Sequence, residues 1–548
     1  MIGAENRENR GGSGDESERW HTMKASVLVT FKVMKLNELV SLSAEVAATP
    51  GRLDKIARLA GLLTRLSPDE IPVAVGFLIG WPRQGKLGVG WVAVSAAREH
   101  PAATSPSLEL RDVDAVFDKL SSTHGRKSAS DRARLLGELF SRATADEQQF
   151  LAALLVGEVR QGALEGVLLE SVAKAASLPP ATVRRAAMMA GDLGVVAASA
   201  LGEDCKSALA AYQLELFRPV QPMLADSAST VTDAMTGAGG ETVAVEWKID
   251  GARIQVHRQG DRVTVYTRSL NEVTDAVPEV IEAVLGLSAS ELILDGEVIA
   301  LARDGRPRSF QDTMSRFGRR LNVLKLRDEL PLTPFFFDIL YRDGVTLIDE
   351  PLSRRLEILD AVIPEGFRAP RVVTNEPEEA ARFQAEVLRR GHEGVMVKTM
   401  SAPYAAGRRG SAWIKVKEAR TLDLVVLAVE WGSGRREGWL SNIHMGARDP
   451  VNGGFVMLGK TFKGMTDEIL EWQTKELLAR EVRREGHVVY VRPELVVEVA
   501  FNEVQRSTQY PGGVALRFAR VKGYRTDKSA READTIDAVR AFLPSASA

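Results

Sequence analysis

Three textures along one chain predict a multidomain protein with an all-α N-terminal domain, an α+β middle domain and a small C-terminal β-barrel. Residues 36–218 carry helical spacing with no strand alternation of any length, residues 219–421 mix short strands with helices, and residues 422–548 are strand-rich with one helix. A chain of 548 residues is long enough for about three or four domains at ~150 residues each.

The elements follow in order. Residues 1–22 are polar and rich in Gly, Ser, Asn, Glu and Arg, without the apolar core of a secretory signal, and residues 1–35 are expected to form a disordered leader; Met23 and Met34 are alternative starts. Leu53, Ile56, Leu59, Leu62, Leu63 and Leu66 recur at helical intervals and predict an amphipathic helix over 52–66. Thr144 and Glu147 form a capping box ahead of Phe150, Leu151, Leu154 and Leu155. Residues 184–193 continue the Ala-rich helical texture. The run Arg218-Pro219-Val220-Gln221-Pro222 then breaks it.

Beyond that break, strands are expected at 243–249, 253–258 and 262–267, with Gln259-Gly260-Asp261 as a hairpin turn. Further strands are expected at 291–294, 297–301, 335–340, 394–398 and 412–417, and helices at 277–287, 352–362 and 377–390. The tail predicts strands at 424–429, 455–460, 495–501 and 515–521 and a helix over 467–484. About 125 residues of this kind fit a small barrel.

Composition excludes several classes. Hydrophobic residues are 45% and charged residues 26%, and 71 Lys plus Arg against 73 Asp plus Glu leave −2 overall. Such a chain is neither disordered nor globally basic, although local basic patches survive under a neutral sum. The one cysteine, Cys205, makes no internal disulfide and no cysteine-based zinc site. No run of about 18 apolar residues appears, so no membrane contact is expected and a cytoplasmic protein is.

Gly80-Trp81-Pro82-Arg83-Gln84-Gly85-Lys86 has phosphate-loop spacing. Leu87 stands where that loop needs Ser or Thr, and no strand precedes it, so it reads as a helix connection.

The informative segments lie further on. They are Glu246-Trp247-Lys248-Ile249-Asp250-Gly251-Ala252-Arg253, Arg268-Ser269-Leu270-Asn271, Asp295-Gly296-Glu297 and Phe335-Phe336-Phe337-Asp338, then Glu393-Gly394-Val395-Met396-Val397-Lys398 and Trp413-Ile414-Lys415-Val416-Lys417. Lys248 closes a strand beside a glycine-relaxed turn, where a phosphate can approach the backbone. Strand period two puts Asp295 with Glu297, and Lys415 with Lys417, on shared faces.

In this order the six segments resemble the nucleotidyltransferase motifs of ATP-dependent DNA ligases, most closely the bacterial ligase B type. A seventh segment, Arg517-Phe518-Ala519-Arg520 followed by Arg525-Thr526-Asp527-Lys528, is similar to the family's last motif, with Ala519 and Gly523 where the family often has Pro and a basic residue. The resemblance implies a helical DNA-binding domain, an adenylation domain and an OB-fold barrel, acting with ATP and Mg²⁺ on nicked duplex DNA, as a monomer. Capping-type nucleotidyltransferases and RNA ligases use the same lysine chemistry and form the alternative. NAD-dependent ligases carry a four-cysteine zinc site that one cysteine cannot supply.

By the same resemblance Lys248 is the nucleophile that takes AMP. An amine of ordinary pKa near 10.4 must first lose its proton, and desolvation with Arg253, Lys415 and Mg²⁺ nearby is expected to lower it. Glu246 is expected to accept from the exocyclic amine of adenine, Arg253 and Arg268 to contact ribose and phosphate, and Phe337 to face the nucleoside. Glu297 is expected at the ribose or the metal, Glu393 at the metal, and Lys415 at the α-phosphate, with Lys417 a lesser candidate. Arg409 in the loop Gly407-Arg408-Arg409-Gly410 resembles a further nucleotide contact, and Arg160-Gln161-Gly162-Ala163 a segment that touches the DNA backbone. His257 and His392 read as local hydrogen-bonding residues.

Overall fold

The computed structural model describes residues 33–543 except positions 86, 124, 126–127, 160–164, 318–322, 406–408, 419 and 434–435. Nearly all of the expected leader, all of Arg160-Gln161-Gly162-Ala163, and Gly407 and Arg408 lie outside the described residues. Two compact units emerge, the first running to Val183 and resuming over Leu193–Ala208, the second holding Arg184–Asp192 and everything from Leu209 onward.

The first unit is built from helices, as its spacing requires. In Arg52–Leu63 the residues Ile56, Leu59, Leu62 and Leu63 are buried, whereas Leu53, at the edge of the arc in the first turn, is 77% exposed. Leu53 therefore does not join the stripe. Thr144 caps Ala145–Leu155 reciprocally: its hydroxyl accepts the Glu147 N–H at 3.4 Å, and its own N–H donates to the Glu147 carboxylate at 2.8 Å. The phosphate-loop lookalike is a helix connection, with Gly80 in the left-handed region at φ 81° ending Glu70–Ile79 and Arg83 clasping Asp114 and Asp118. Lys86 is outside the described residues.

The second unit opens with an α+β body. Its strands are β1 (Leu224–Ala228), β2 (Val243–Lys248), β3 (Ala252–Gln259), β4 (Arg262–Thr267), β5 (Glu291–Ala300), β6 (Leu332–Arg342), β7 (Val345–Thr346), β8 (Arg371–Thr374), β9 (Gly394–Thr399) and β10 (Arg409–Lys417). They form two five-stranded sheets, ordered β1-β10-β9-β2-β8 and β4-β3-β5-β6-β7. The chain passes from one sheet to the other at Ile249-Asp250-Gly251. Gly251 is required there, because a Cβ would lie 2.2 Å from the Val298 carbonyl oxygen. Gly260 turns the β3–β4 hairpin at φ 58°. The expected strands at 291–294 and 297–301 are one strand, β5, whose pairing with β6 shifts register at Ile293/Leu294 and Asp295/Gly296; the break comes from these bulges, not from a loop.

One apolar cluster joins β3, β4, β5 and β6 to Pro278–Leu285 and Leu352–Val362, and a second joins β2, β9 and β10 to Pro377–Arg389. A charged pair is sealed inside: Arg355 and Asp338 are fully buried, joined at 2.7 and 3.0 Å, with Arg355 also donating to the Glu350 and Ala402 carbonyls. Removing one partner leaves the other charge uncompensated, so Asp338→Asn should cost about 3–5 kcal/mol in chemical denaturation. A change under 1 kcal/mol would mean the pair is dispensable.

The C-terminal strands are β11 (Arg420–Trp431), β12 (Leu440–Arg448), β13 (Phe455–Thr461), β14 (Glu481–Glu485), β15 (Val488–Val491), β16 (Val496–Phe501), β17 (Glu503–Arg506), β18 (Val514–Arg517) and β19 (Arg520–Tyr524). They form an OB-fold domain that is not a closed barrel. The path runs β13-β12-β11-β15-β14, β16 branches from β11 to β19, and β17-β18 pair separately. Two sequence expectations are corrected here. The helix over 467–484 ends at Leu478; Glu481, Arg483 and Arg484 belong to an edge strand turned at Gly486, φ 59°, and their charges suit an edge as well as a helix face. The strand over 515–521 breaks at Phe518, which adopts φ 55°.

Candidate active site

A cavity of about 780 Å³ lies where β2 gives way to β3, floored by β9 and β10 and reached by Asn502, Arg517 and Phe518 of the C-terminal strands. Lys248, Glu246, Arg253, Arg268, Glu297, Phe337, Lys415 and Lys417 all line it. Arg409 opens β10, but its side chain lies outside the described residues.

Lys248 ends β2 with its side chain 17% exposed, and its ammonium donates to one oxygen of Glu393 while Lys417 donates to the other. Burial pulls the Lys248 ammonium down, but Glu393, then Asp250 and Glu297, outweigh it, so its pKa is raised. The expected lowering by Arg253 and Lys415 is therefore corrected. A carboxylate in contact dominates cations further off. Burial lowers Lys417, the like charge of Lys248 adds to that, and Glu393 only partly offsets them. Glu393 itself is pushed up by burial but held below its ordinary value by the two lysines. Glu297 accepts the Gly251 N–H at 3.2 Å, and burial raises its carboxyl to about 7 against the pull of Lys248 and Arg253.

Arg253 is anchored. Its guanidinium forks onto Asp295 at 3.0 and 2.7 Å and donates to the Met223 carbonyl at 2.7 Å, while the Tyr404 hydroxyl donates to the same carboxylate at 2.7 Å. Asp295 and Glu297 thus serve one face with different partners. Phe337 stands edge-on to Trp413, with centroids 5.8 Å apart, and Arg253 lies 5.6 Å from the Phe337 ring. Its neighbours Phe335 and Phe336 enter two other apolar clusters. Arg268 is exposed at the rim. Glu246 is 1% exposed and paired with Lys398 through one oxygen, while its other oxygen, Oε1, is buried with no hydrogen-bond partner.

The basic tail motif divides. Arg517 reaches the cavity, donates to Asp250 at 2.8 Å and lies 3.5 Å from the Phe310 ring centroid. Arg525 and Lys528 turn to Asp423 at 3.3 and 2.5 Å, and Arg520 is an exposed strand residue outside the lining. Residues missed by sequence reasoning include Phe310, Met314 and Phe317, an i, i+4, i+7 stripe on Phe310–Phe317, and Asn502. Helical spacing between the third and fourth motif segments was the available signal.

The two histidines differ. His257 accepts the Phe217 N–H at Nδ1, 2.9 Å, and meets Gln255 at Nε2, 2.9 Å, as expected of a local hydrogen-bonding residue. His392 instead stacks on Trp247 at 4.2 Å, its Nδ1 buried without a partner. Burial lowers them to about 3 and about 4. Each is neutral in the fold and near 6.5 when unfolded, so the stability linked to them is present above pH 6.5 and lost as pH falls through those lower values. Glu297, raised to about 7, acts in the opposite sense. Ring NMR titration separates them: both histidines should show midpoints below pH 5, and a midpoint near 6.5 would contradict the buried geometry.

Three family descriptions match the chain: DNA ligase N terminus over residues 82–173, ATP dependent DNA ligase domain over 222–417, and ATP dependent DNA ligase C terminal region over 436–528. A probable DNA ligase of Anaeromyxobacter sp. (strain Fw109-5) is 56% identical over 511 residues, covering 93% of this chain and 98% of that protein. The chain belongs to the ATP-dependent DNA ligase family. DNA ligase B of Mycobacterium tuberculosis (strain ATCC 25618 / H37Rv) is 53% identical over 512 residues, 93% of this chain and all of the relative. The solved structure named Pmar-Lig_PreS3 shares the fold at TM-score 0.58 and 17% identity, covering 89% of this chain and 99% of its own. The cavity thus combines an orphaned buried acceptor on Glu246, an aromatic wall at Phe337 and Trp413, and cations at Lys248, Lys415 and Lys417.

Proposed function

We propose that this chain is an ATP-dependent DNA ligase that seals 5′-phosphate/3′-hydroxyl nicks in duplex DNA through a covalent lysyl-AMP and a DNA-adenylate. The placement of Lys248 carries the reading: it is the cavity lysine that closes a strand inside the family's first motif, with Glu393, Asp250 and Glu297 acting on it and Lys398, Lys415 and Lys417 lining the same cavity. Lys248 Nζ attacks the α-phosphorus, an N–P bond forms and pyrophosphate leaves. AMP then passes to the 5′-phosphate of the nick, and the 3′-hydroxyl displaces it.

Lys248 must lose its proton before it attacks, and the contact with Glu393 opposes that loss. Glu297 and Glu393 are the hard oxygen donors that would hold a Mg²⁺, which would supply charge neutralisation for the triphosphate. Arg253 and Arg268 bind ribose and phosphate, Lys415 the α-phosphate, Glu246 the adenine amine, and Phe337 the nucleoside face. Arg409 is the further nucleotide contact. Arg517 contacts nucleotide while the C-terminal strands cover the cavity, and these strands move away for sealing.

No helix among the described residues is long and apolar enough to cross a membrane. We infer a cytoplasmic monomer gripping nicked duplex DNA by charge spread over its domains, with affinity that falls as salt rises. Mass spectrometry after incubation with ATP and Mg²⁺ tests the reading. One AMP added at Lys248, transferable to a nick, supports it, and an unmodified chain that seals nothing overturns it.

A further inference from the structure

Glu246 and Lys398 form an asymmetric device in the cavity wall. Both are 1% exposed. Lys398 lies on β9 opposite Ala244 of β2, so it reaches diagonally to Glu246 and occupies one carboxylate oxygen. The ammonium is held in turn: it sits 4.4 Å from the Phe337 ring centroid and 4.3 Å from that of Trp413, and donates to the Phe337 carbonyl at 3.4 Å. That leaves Glu246 Oε1 buried and unpartnered in a residue that lines the cavity.

We propose that Lys398 is a specificity-determining residue: by holding one oxygen of Glu246 it fixes the other as a pure hydrogen-bond acceptor facing the 6-position of a bound purine. This rests on the nucleotide reading above and goes beyond it by naming what sets base choice. The amino group of a 6-aminopurine donates to Oε1. A 6-oxopurine presents lone pairs to lone pairs and is refused, which strands a buried polar group on each side.

The physical need for Lys398 is plain from burial. Burial raises the Glu246 carboxyl even beside Lys398, whose ammonium is the strongest opposing influence, ahead of Arg371, so the contact with Lys398 is what favours the ionised, acceptor-only form. Without the ammonium, Glu246 takes up a proton and becomes a donor as well as an acceptor. Either purine then satisfies it. Lys398 touches Glu246, not the reacting phosphorus, and so acts on base choice through its neighbour.

The test measures formation of the lysyl-nucleotide adduct on the full chain with ATP and with inosine triphosphate, its 6-oxo counterpart, under single-turnover conditions. Lys398→Met should lower the preference for ATP at least tenfold, with KM for ATP rising more than kcat falls, and Lys398→Arg should restore most of it. An unchanged ATP-to-inosine preference in Lys398→Met, with equal rate loss on both nucleotides, would make Lys398 a packing residue and overturn the inference. Should the methionine variant not fold, Glu246→Gln decides. Its amide offers N–H or C=O to the base, so its preference should collapse, and full retention overturns the inference. Absence of any adduct on the unaltered chain defeats the nucleotide reading, and this inference with it.

Discussion

A Lys248→Ala chain incubated with ATP and Mg²⁺ should gain no AMP and seal no ordinary nick, while still closing a nick that already carries a 5′-adenylate. The first two losses follow from removing the atom that forms the bond to phosphorus. The other lysines of the cavity are not placed to substitute: Lys417 is bound to the Glu393 oxygen opposite Lys248, Lys415 lies two residues further back on the same strand, and Lys398 is paired with Glu246. Removal of a nucleophile typically costs at least about 10⁴-fold, or roughly 5 kcal/mol of barrier. The retained activity is the informative half, because the third chemical step uses the nick's own 3′-hydroxyl. Gel analysis of the two nicked substrates separates the steps. Equal loss on both would mean that Lys248 holds the fold, and residual sealing from ATP would place the nucleophile elsewhere.

How much of this was readable before the fold was known depends on the range of the interaction. Local rules served well. The Thr144–Glu147 cap, the turn at Gly260 and the helix Leu352–Val362 follow from neighbours a few residues apart. The motif segments also converged as expected, since alternation alone puts Lys415 and Lys417 on one face. What failed required knowledge of a partner far along the chain. The charge state of Lys248 is set by Glu393, 145 residues away, and no spacing rule could rank that carboxylate above Arg253. Leu53 looked like a stripe residue because period says nothing of where the arc ends. The charged run at 481–485 fits a helix face or an edge strand equally, and only its pairing with β15 chose. Glu246 was legible as a residue of the cavity, but its partner Lys398 and its orphaned oxygen were not.

The same limit bears on the tail motif, and it moves the decisive substitution. Five of the twelve residues from Arg517 to Lys528 are basic, and by composition any of them could serve the nucleotide. Lys528 and Arg525 are committed to Asp423, and Arg520 lies outside the cavity lining, so their loss should act mainly through the C-terminal domain itself. Arg517 is different. It ends β18, where Phe518, at φ 55°, turns the chain, and it reaches Asp250, two residues from Lys248. Its ring contact with Phe310 and its bond to Glu503 at 3.4 Å fix the guanidinium without exhausting its five donors. A cation so placed can neutralise charge building on the departing pyrophosphate. Losing one such donor costs about 10²–10³-fold in related charge-stabilising sites. Arg517→Ala should therefore slow lysyl-AMP formation by about 10²-fold or more, yet slow sealing of a pre-adenylated nick less than tenfold. Arg520→Ala should leave both steps within about threefold, as expected of an exposed surface residue. Rapid-quench measurement of each step decides the matter. A matched loss in both steps for Arg517→Ala would mean that the C-terminal strands stay on the cavity throughout the reaction, and the swing proposed for them would have to be abandoned.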